Sequence, residues 1–335
     1  MILFTIIGAI IGAGFASGQE IYLFFYRFGI DGMFGIILCN ILMAYIIYKS
    51  LKIIYINNIN TYEDFLEIIF KNSFKPLRNI VNIIINIFLC VTFFIMISGF
   101  GAYLSQSLNL NQLIGSSILA IVSFIIFLKN IESLTKINSI IIPILIVFII
   151  IIGTKNIFYI KTIEFNNVNI DKSMFWILQA ILYASFNLIL VEPVLINLKK
   201  FLKSNTQIIV ISIGVCIIMS ILAILEFLLL INVNIDFRKI EMPLVYVINN
   251  NFSEYRFMYG IIILIAIFTT ALSVGFGFIS NISKSKKSYT QIARFLCISS
   301  VLISPIGFSK LVENLFPLFG FLGIIQIFFI VKNKN

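Results

Sequence analysis

Long apolar runs, broken by short polar stretches, dominate the chain from its first residues. Their lengths match the about 20 residues that a helix needs to cross a bilayer. They lack the short alternation of apolar and polar positions that a membrane β-barrel needs. About ten such runs are predicted as spans. They cover residues 2–27, 33–55, 80–104, 113–129, 137–158, 173–197, 205–231, 256–281, 291–306 and 312–331. Between the second and third, Tyr62 to Phe70 spaces its apolar residues as one helical face, which predicts a short amphipathic helix on the membrane surface. A second short element, around Pro243 and Leu244-Val245-Tyr246-Val247, is expected to dip over the bundle.

Two runs are irregular at depths where lipid would surround an ordinary helix. The first contains Gly8, Gly12, Gly14 and Gly18, followed by Gln19 and Glu20. Glycine costs about 1 kcal/mol against alanine in a helix interior, and an intramembrane carboxylate costs about 2.5–3.5 kcal/mol or more. A helix that breaks there, with its freed backbone facing protein, a cavity or a ligand, accounts for both. The spacing of Gly8 with Gly12 and of Gly14 with Gly18 also suits a close helix–helix packing face. The sixth run carries Tyr183, Ser185, Asn187, Glu192 and Pro193, and Phe15-Ala16-Ser17 parallels Tyr183-Ala184-Ser185. Ten spans with irregular first and sixth members predict a single membrane domain, 1–335, of two inverted five-helix repeats. These would occupy about 1–158 and 173–331, with helices one and six discontinuous.

Composition sharpens the class. The chain is 60% hydrophobic and 11% charged, with a mean hydropathy of +1.09, which is outside the soluble range. The net charge of +10 has a topological explanation. Lys and Arg fall about two to one on the side holding Lys49, Lys52, Lys199, Lys200, Lys286 and Lys287, which predicts both termini in the cytoplasm. Nucleic-acid binding is then unnecessary. The first run lacks a basic leader and a cleavage pattern, so it is read as a mature span rather than a signal peptide. The four cysteines are scattered singly and read as buried apolar groups. With no histidine in the chain, metal centres and catalytic triads that use it are excluded, and no enzymatic role is expected.

The N-terminal sequence from Gly8 to Ile21, followed by Phe24-Phe25 and Phe28-Gly29, resembles the YkvI-type family of bacterial membrane proteins. That family is similar to the amino acid–polyamine–organocation transporters of LeuT-like fold. The resemblance implies a secondary transporter of an amino acid or related zwitterion, working by alternating access with Na⁺ or H⁺ coupling. Its place would be the bacterial cytoplasmic membrane. Partners are the lipid bilayer and a small substrate; no cofactor beyond the coupling ion is expected, and oligomeric state stays open. A non-transporting receptor on the same fold is the alternative.

Substrate-binding candidates are Gly12, Gly14, Phe15, Ala16, Ser17, Gly18, Tyr183, Ser185, Phe186 and Asn187, with Met96 or Tyr103 as further pocket walls. Carbonyls and N–H groups freed by a helix break suit cations and anions respectively. Ion-coupling candidates are Glu20, Glu192, Thr269, Thr270 and Ser273. The two carboxylates would carry a proton or hold structural partners. The hydroxyls match, by resemblance, a sodium site between spans one and eight. The simpler role for Thr and Ser in a span is bonding back to their own helix. Glu226, near the end of its run, is read as interfacial.

Overall fold

A computed structural model of the chain describes residues 2–70, 75–129, 135–159, 173–233, 237–283 and 285–333. Its regular elements are helical among the described residues, and the polar segment 160–172 lies outside them. The first run forms three short helices, α1 (Ile2–Ile10), α2 (Ala13–Ala16) and α3 (Gln19–Phe24). Next come α4 (Ile30–Ile56), α5 (Tyr62–Phe70), α6 (Lys75–Leu108), α7 (Gln112–Lys129) and α8 (Thr135–Tyr159). The remainder forms α9 (Phe175–Leu198), α10 (Asn205–Val233), α11 (Pro243–Asn251), α12 (Arg256–Ile282), α13 (Lys286–Ile303) and α14 (Phe308–Lys332). Eight described helical segments are long and apolar enough to cross a membrane, and they include α4, α6, α7, α9, α10, α12, α13 and α14. This is an integral membrane protein of all-α class.

The glycines set the breaks in the first run. At Gly12 the backbone is extended (φ −96°, ψ −172°), and the Gly12 N–H bonds the Ile10 carbonyl at 2.9 Å in place of the carbonyl four residues back. Gly18 adopts the left-handed conformation, φ 75°, which a residue with a Cβ reaches only at a cost. An ideal Cβ there would also meet Leu244 Cβ at 2.9 Å.

The sixth run departs from expectation. α9 is one continuous helix from Phe175 to Leu198, with Pro193 inside it, and has no gap near 183–190. Two of its polar side chains bond back to that helix. Ser185 Oγ donates to the Ile181 carbonyl at 2.7 Å, and Asn187 Nδ2 to the Tyr183 carbonyl at 3.0 Å. The run also contains no glycine, so nothing in it lowers the cost of leaving the α region. Protein shields it instead of a break: α9 is the most buried of the eight spans, enclosed by α4, α14 and α1. Gly320 and Gly323 of α14 approach so closely that a Cβ on either would meet the Leu182 or Ser185 carbonyl at 2.7 or 2.5 Å.

The two short elements form where expected. α5 turns Phe65, Leu66, Ile69 and Phe70 inward. It begins at a reciprocal cap, in which Asp64 N–H donates to Thr61 Oγ1 and Thr61 N–H to Asp64 Oδ2, both at 3.1 Å. The Thr61 bonds, foremost among the influences on it, hold the Asp64 carboxyl below the usual range for aspartate. α11 starts at Pro243, which supplies a preset φ for a first helical position, and buries Leu244, Val245, Val247 and Ile248.

Candidate functional site

A cavity of about 400 Å³ lies where the first run breaks. Gly8 to Gly14 form one wall, and Glu20 closes it on the same side. α6 contributes Thr92 and Met96, α9 Phe186, Leu190, Val194 and Asn197, α12 Thr270, Ser273 and Val274, and α14 Phe316. Phe4, Thr5 and Asn197 at its margin are exposed, so the space opens toward the end of the bundle where α1 begins.

The opposite end is shut. The Leu244 N–H of α11 donates to the Ser17 carbonyl at 2.8 Å, and Tyr259 Oη of α12 donates to the Ala16 carbonyl. Gln106 of α6 clamps Met242 from both sides, accepting from its N–H at 3.1 Å and donating to its carbonyl at 3.0 Å. Gln19 Nε2 donates to Ser309 Oγ at 2.7 Å, while the Ser309 N–H donates to Glu241 Oε2 at 2.7 Å. Carbonyls released at the second break are therefore taken by protein groups.

Glu20 is the one ionisable side chain among the described residues of the cavity wall, and it is 3% exposed. Tyr183 Oη donates to its Oε2 at 3.0 Å, and the Phe15 backbone N–H also bonds the carboxylate. The group lies against Gly14, where an ideal Cβ would stand 2.2 Å from Oε1. Thus the absence of a side chain at residue 14 creates the seat of the Glu20 carboxylate. The aromatic side is built by Phe186 and Phe316, stacked with centroids 4.7 Å apart.

Of the residues singled out from sequence, the cavity gathers Gly12, Gly14, Phe186, Glu20, Thr270, Ser273 and Met96. The others do not line it. Phe15 and Ala16 are fully buried, Ser17 Oγ donates to the Gly14 carbonyl at 3.0 Å, and Gly18 packs on Leu244. Tyr183 stands behind Glu20, Ser185 bonds its own helix, and Asn187 gives its Nδ2 to α9 while its buried Oδ1 has no hydrogen-bond partner among the described residues. Thr269 donates to the Ile265 and Ala266 carbonyls at 2.9 and 3.2 Å. Thr270 and Ser273, three apart on one helical face, reach the space that Thr269 does not. Tyr103 packs against Gly260 instead.

Glu192 belongs to a separate network. Gln326 Nε2 of α14 donates both to Glu192 Oε2 and, at 2.8 Å, to Tyr62 Oη of α5. It therefore ties the surface helix to α9. No group of three or more His, Cys, Asp or Glu suited to a metal occurs among the described residues. The hydroxyls of Thr270 and Ser273, facing the broken backbone, are oxygen donors of the kind a hard monovalent cation takes.

No family model matches the chain. Over 329 residues, 96% of this chain and 92% of the relative, it is 26% identical to the uncharacterized membrane protein YkvI of Bacillus subtilis (strain 168). The chain is YkvI-like. A second relative from the same organism, the uncharacterized protein YyaD, is 25% identical over 325 residues, which is 95% of this chain and 92% of that protein. Similarity to YkvI thus runs through the broken first segment, α9 and the closing α11, and is not confined to the N-terminal motif.

Three features escaped the sequence reading. Thr92 and Asn197 are single polar residues in or beside apolar runs, although Thr92 and Met96, four apart, had the spacing of a shared helical face. Phe316 looked like any apolar span residue. Glu226, near the end of its run, is fully buried by protein.

Proposed function

We propose that this YkvI-like protein is a secondary active transporter of a small amine-bearing metabolite, an amino acid or related zwitterion. The carrying observation is the cavity itself: an interrupted helix and one buried carboxylate meet in a space open at one end of the bundle and shut at the other. Glu20 supplies the counter-charge for an ammonium group. Phe186 and Phe316 offer aromatic faces that attract a cation and pack an apolar body. The broken segment from Gly12 to Gly14 lines the same space, and backbone freed at such a break suits a carboxylate. Thr270 and Ser273 face the same space and suit Na⁺, while H⁺ is the other coupling ion this chemistry supports.

The packing supports a ten-span reading in which the broken α1–α3 segment and α8 join the eight long spans. In that count, four of the five pairs of elements five apart lie against each other: α1 on α9, α4 on α10, α6 on α12 and α7 on α13, whereas α8 and α14 make no comparable contact. Inverted repeats related by a two-fold axis in the membrane plane produce such pairs. The continuous α9 departs from the form with two broken helices, so the interrupted backbone comes from one repeat. Alternating access then requires the α11 side to open as the α1 side closes. With the basic residues inside, the open end faces the cytoplasm.

The test is uptake into proteoliposomes, after a stabilisation screen of amines and amino acids with and without Na⁺. Saturable uptake driven by an ion gradient, and lost in Glu20→Gln, is the expected result. Ligand binding without flux would replace this reading with a receptor. The absence of any amine or amino acid ligand would remove it.

A further inference from the structure

Glu226 lies outside the cavity, in the C-terminal third of α10, on the half of the bundle covered by α11. It is 0% exposed, and neither carboxylate oxygen has a hydrogen-bond partner among the described residues. An ionised carboxylate so placed would carry a desolvation penalty of several kcal/mol with nothing to offset it.

Among the described residues, the groups found to act on Glu226 carry no positive charge. Those that act on Glu226 electrostatically are Glu20 of α3, Tyr183 of α9 and Tyr259 of α12. α4 adds Cys39, which acts on Tyr183. No described cation at that end of the bundle bonds either Glu226 oxygen. Lys155 of α8 donates to Tyr255, and Arg256 to the Ser107 carbonyl. Arg27, on the 3-10 turn packed against α10, lies over the Phe28 ring at 5.3 Å, its Nε buried without a hydrogen-bond partner among the described residues, and makes no bond to Glu226. Arg238 and Lys239, ahead of α11, are exposed.

The choice of neutralising ion follows from coordination. A metal cation needs several oxygens around it; no hydrogen-bond donor of the described residues reaches either Glu226 oxygen, and no group of three or more His, Cys, Asp or Glu suited to a metal includes it among those residues. A proton needs only the carboxylate. Tyr183 donates to Glu20, at the cavity wall, and makes no bond to Glu226.

We propose that Glu226 is a proton-binding site, carrying a carboxylic proton while the α11 side is shut and exchanging it with water when that side opens. The proton passes between the Glu226 carboxylate and water, and no other bond changes. The inference deepens the transport reading by naming H⁺ as a coupling ion. Only the exchange across the membrane rests on that reading; occupancy of the site does not.

Infrared spectroscopy of the full chain in phosphatidylcholine nanodiscs reads the occupancy directly. At neutral pH in K⁺ buffer, a buried carboxylic C=O band should be present, and Glu226→Gln should remove one carboxyl equivalent of it. Replacing K⁺ by Na⁺ should leave the band unchanged. Equal bands in the wild type and Glu226→Gln would overturn the proposal, as would loss of the band on adding Na⁺. Should Glu226→Gln fail to fold, Glu226→Asp keeps the carboxyl but moves it, so the band frequency must shift; an unshifted band overturns the site. A protein without uptake but with the band loses the transport reading and keeps this one, and the reverse result separates them the other way.

Discussion

Replacing Gly14 by alanine tests whether the empty space at that residue is what seats Glu20. In an unobstructed helix the substitution stabilises by about 1 kcal/mol. Here the new Cβ would stand 2.2 Å from Glu20 Oε1 and 2.9 Å from its Cδ and Cγ. The glutamate side chain can swing aside, so the clash is relieved at the expense of its bonds to Tyr183 and the Phe15 N–H. Leaving such buried groups unpaired costs about 1–3 kcal/mol. The net expectation is a loss of roughly 0–2 kcal/mol where propensity alone predicts a gain. Gly12→Ala is the control, since nothing lies within 4 Å of its Cβ position. Its N-cap and chain-entropy effects are each under about 1 kcal/mol and opposite in sign. Chemical unfolding of both variants, followed by helix content in detergent, measures the difference. A Tyr183→Phe cycle makes it sharper: that change should cost about 1–2 kcal/mol in the wild type and under about 0.5 kcal/mol beside Gly14→Ala, because the bond is already broken. If Gly14→Ala is more stable than wild type by the about 1 kcal/mol of propensity alone, or the Tyr183→Phe cost is the same in both backgrounds, the seat described for Glu20 is wrong.

Gly18→Ala should destabilise by at least about 1 kcal/mol, since it combines a left-handed backbone with the Leu244 contact; an unfolding midpoint equal to wild type would contradict this. Thr270→Val and Ser273→Ala should weaken cation or ligand binding about tenfold with little change in stability. Thr269→Val, whose hydroxyl serves its own helix, should leave binding unchanged, and calorimetric titration of a ligand found in the screen decides between them. The Asp64 carboxyl, held low by Thr61, stabilises the start of α5 above the unfolded aspartate value of about 3.9. That contribution disappears as pH falls through the lower folded value. An NMR titration should show Asp64 below an ordinary aspartate and moving up toward it in Thr61→Val. Gln326→Leu should release α5, seen as faster amide exchange from Tyr62 to Phe70 with exchange in α10 unchanged.

What could be read from the chain divides by the kind of interaction involved. The break in the first run was visible because glycine changes the local cost of leaving a helix, and Gly12 and Gly18 sit where the backbone departs. α5 and α11 were visible for a similar reason, through apolar spacing and Pro243. Ser185 and Asn187 misled because a polar residue in a span has two outlets, a broken helix or a bond to its own turn, and their identities do not distinguish these. The cavity mixes both cases. Glu20, Gly12 and Gly14 were evident from the cost of placing them in a membrane, whereas Thr92, Asn197 and Phe316 became walls only through the packing of α6, α9 and α14. The burial of Glu226 was not legible, because closeness to the end of a run says nothing of which elements pack on it, and α10 packs against α11 and α3.

The bond from the Leu244 N–H to the Ser17 carbonyl has a practical consequence for mutagenesis. Alanine scanning leaves every main-chain donor and acceptor in place, so it would find no residue responsible for this part of the closed end. Proline at 244 removes the donor and suits a helix still in its first turn. It is therefore the substitution that can release the latch while leaving α11 able to form.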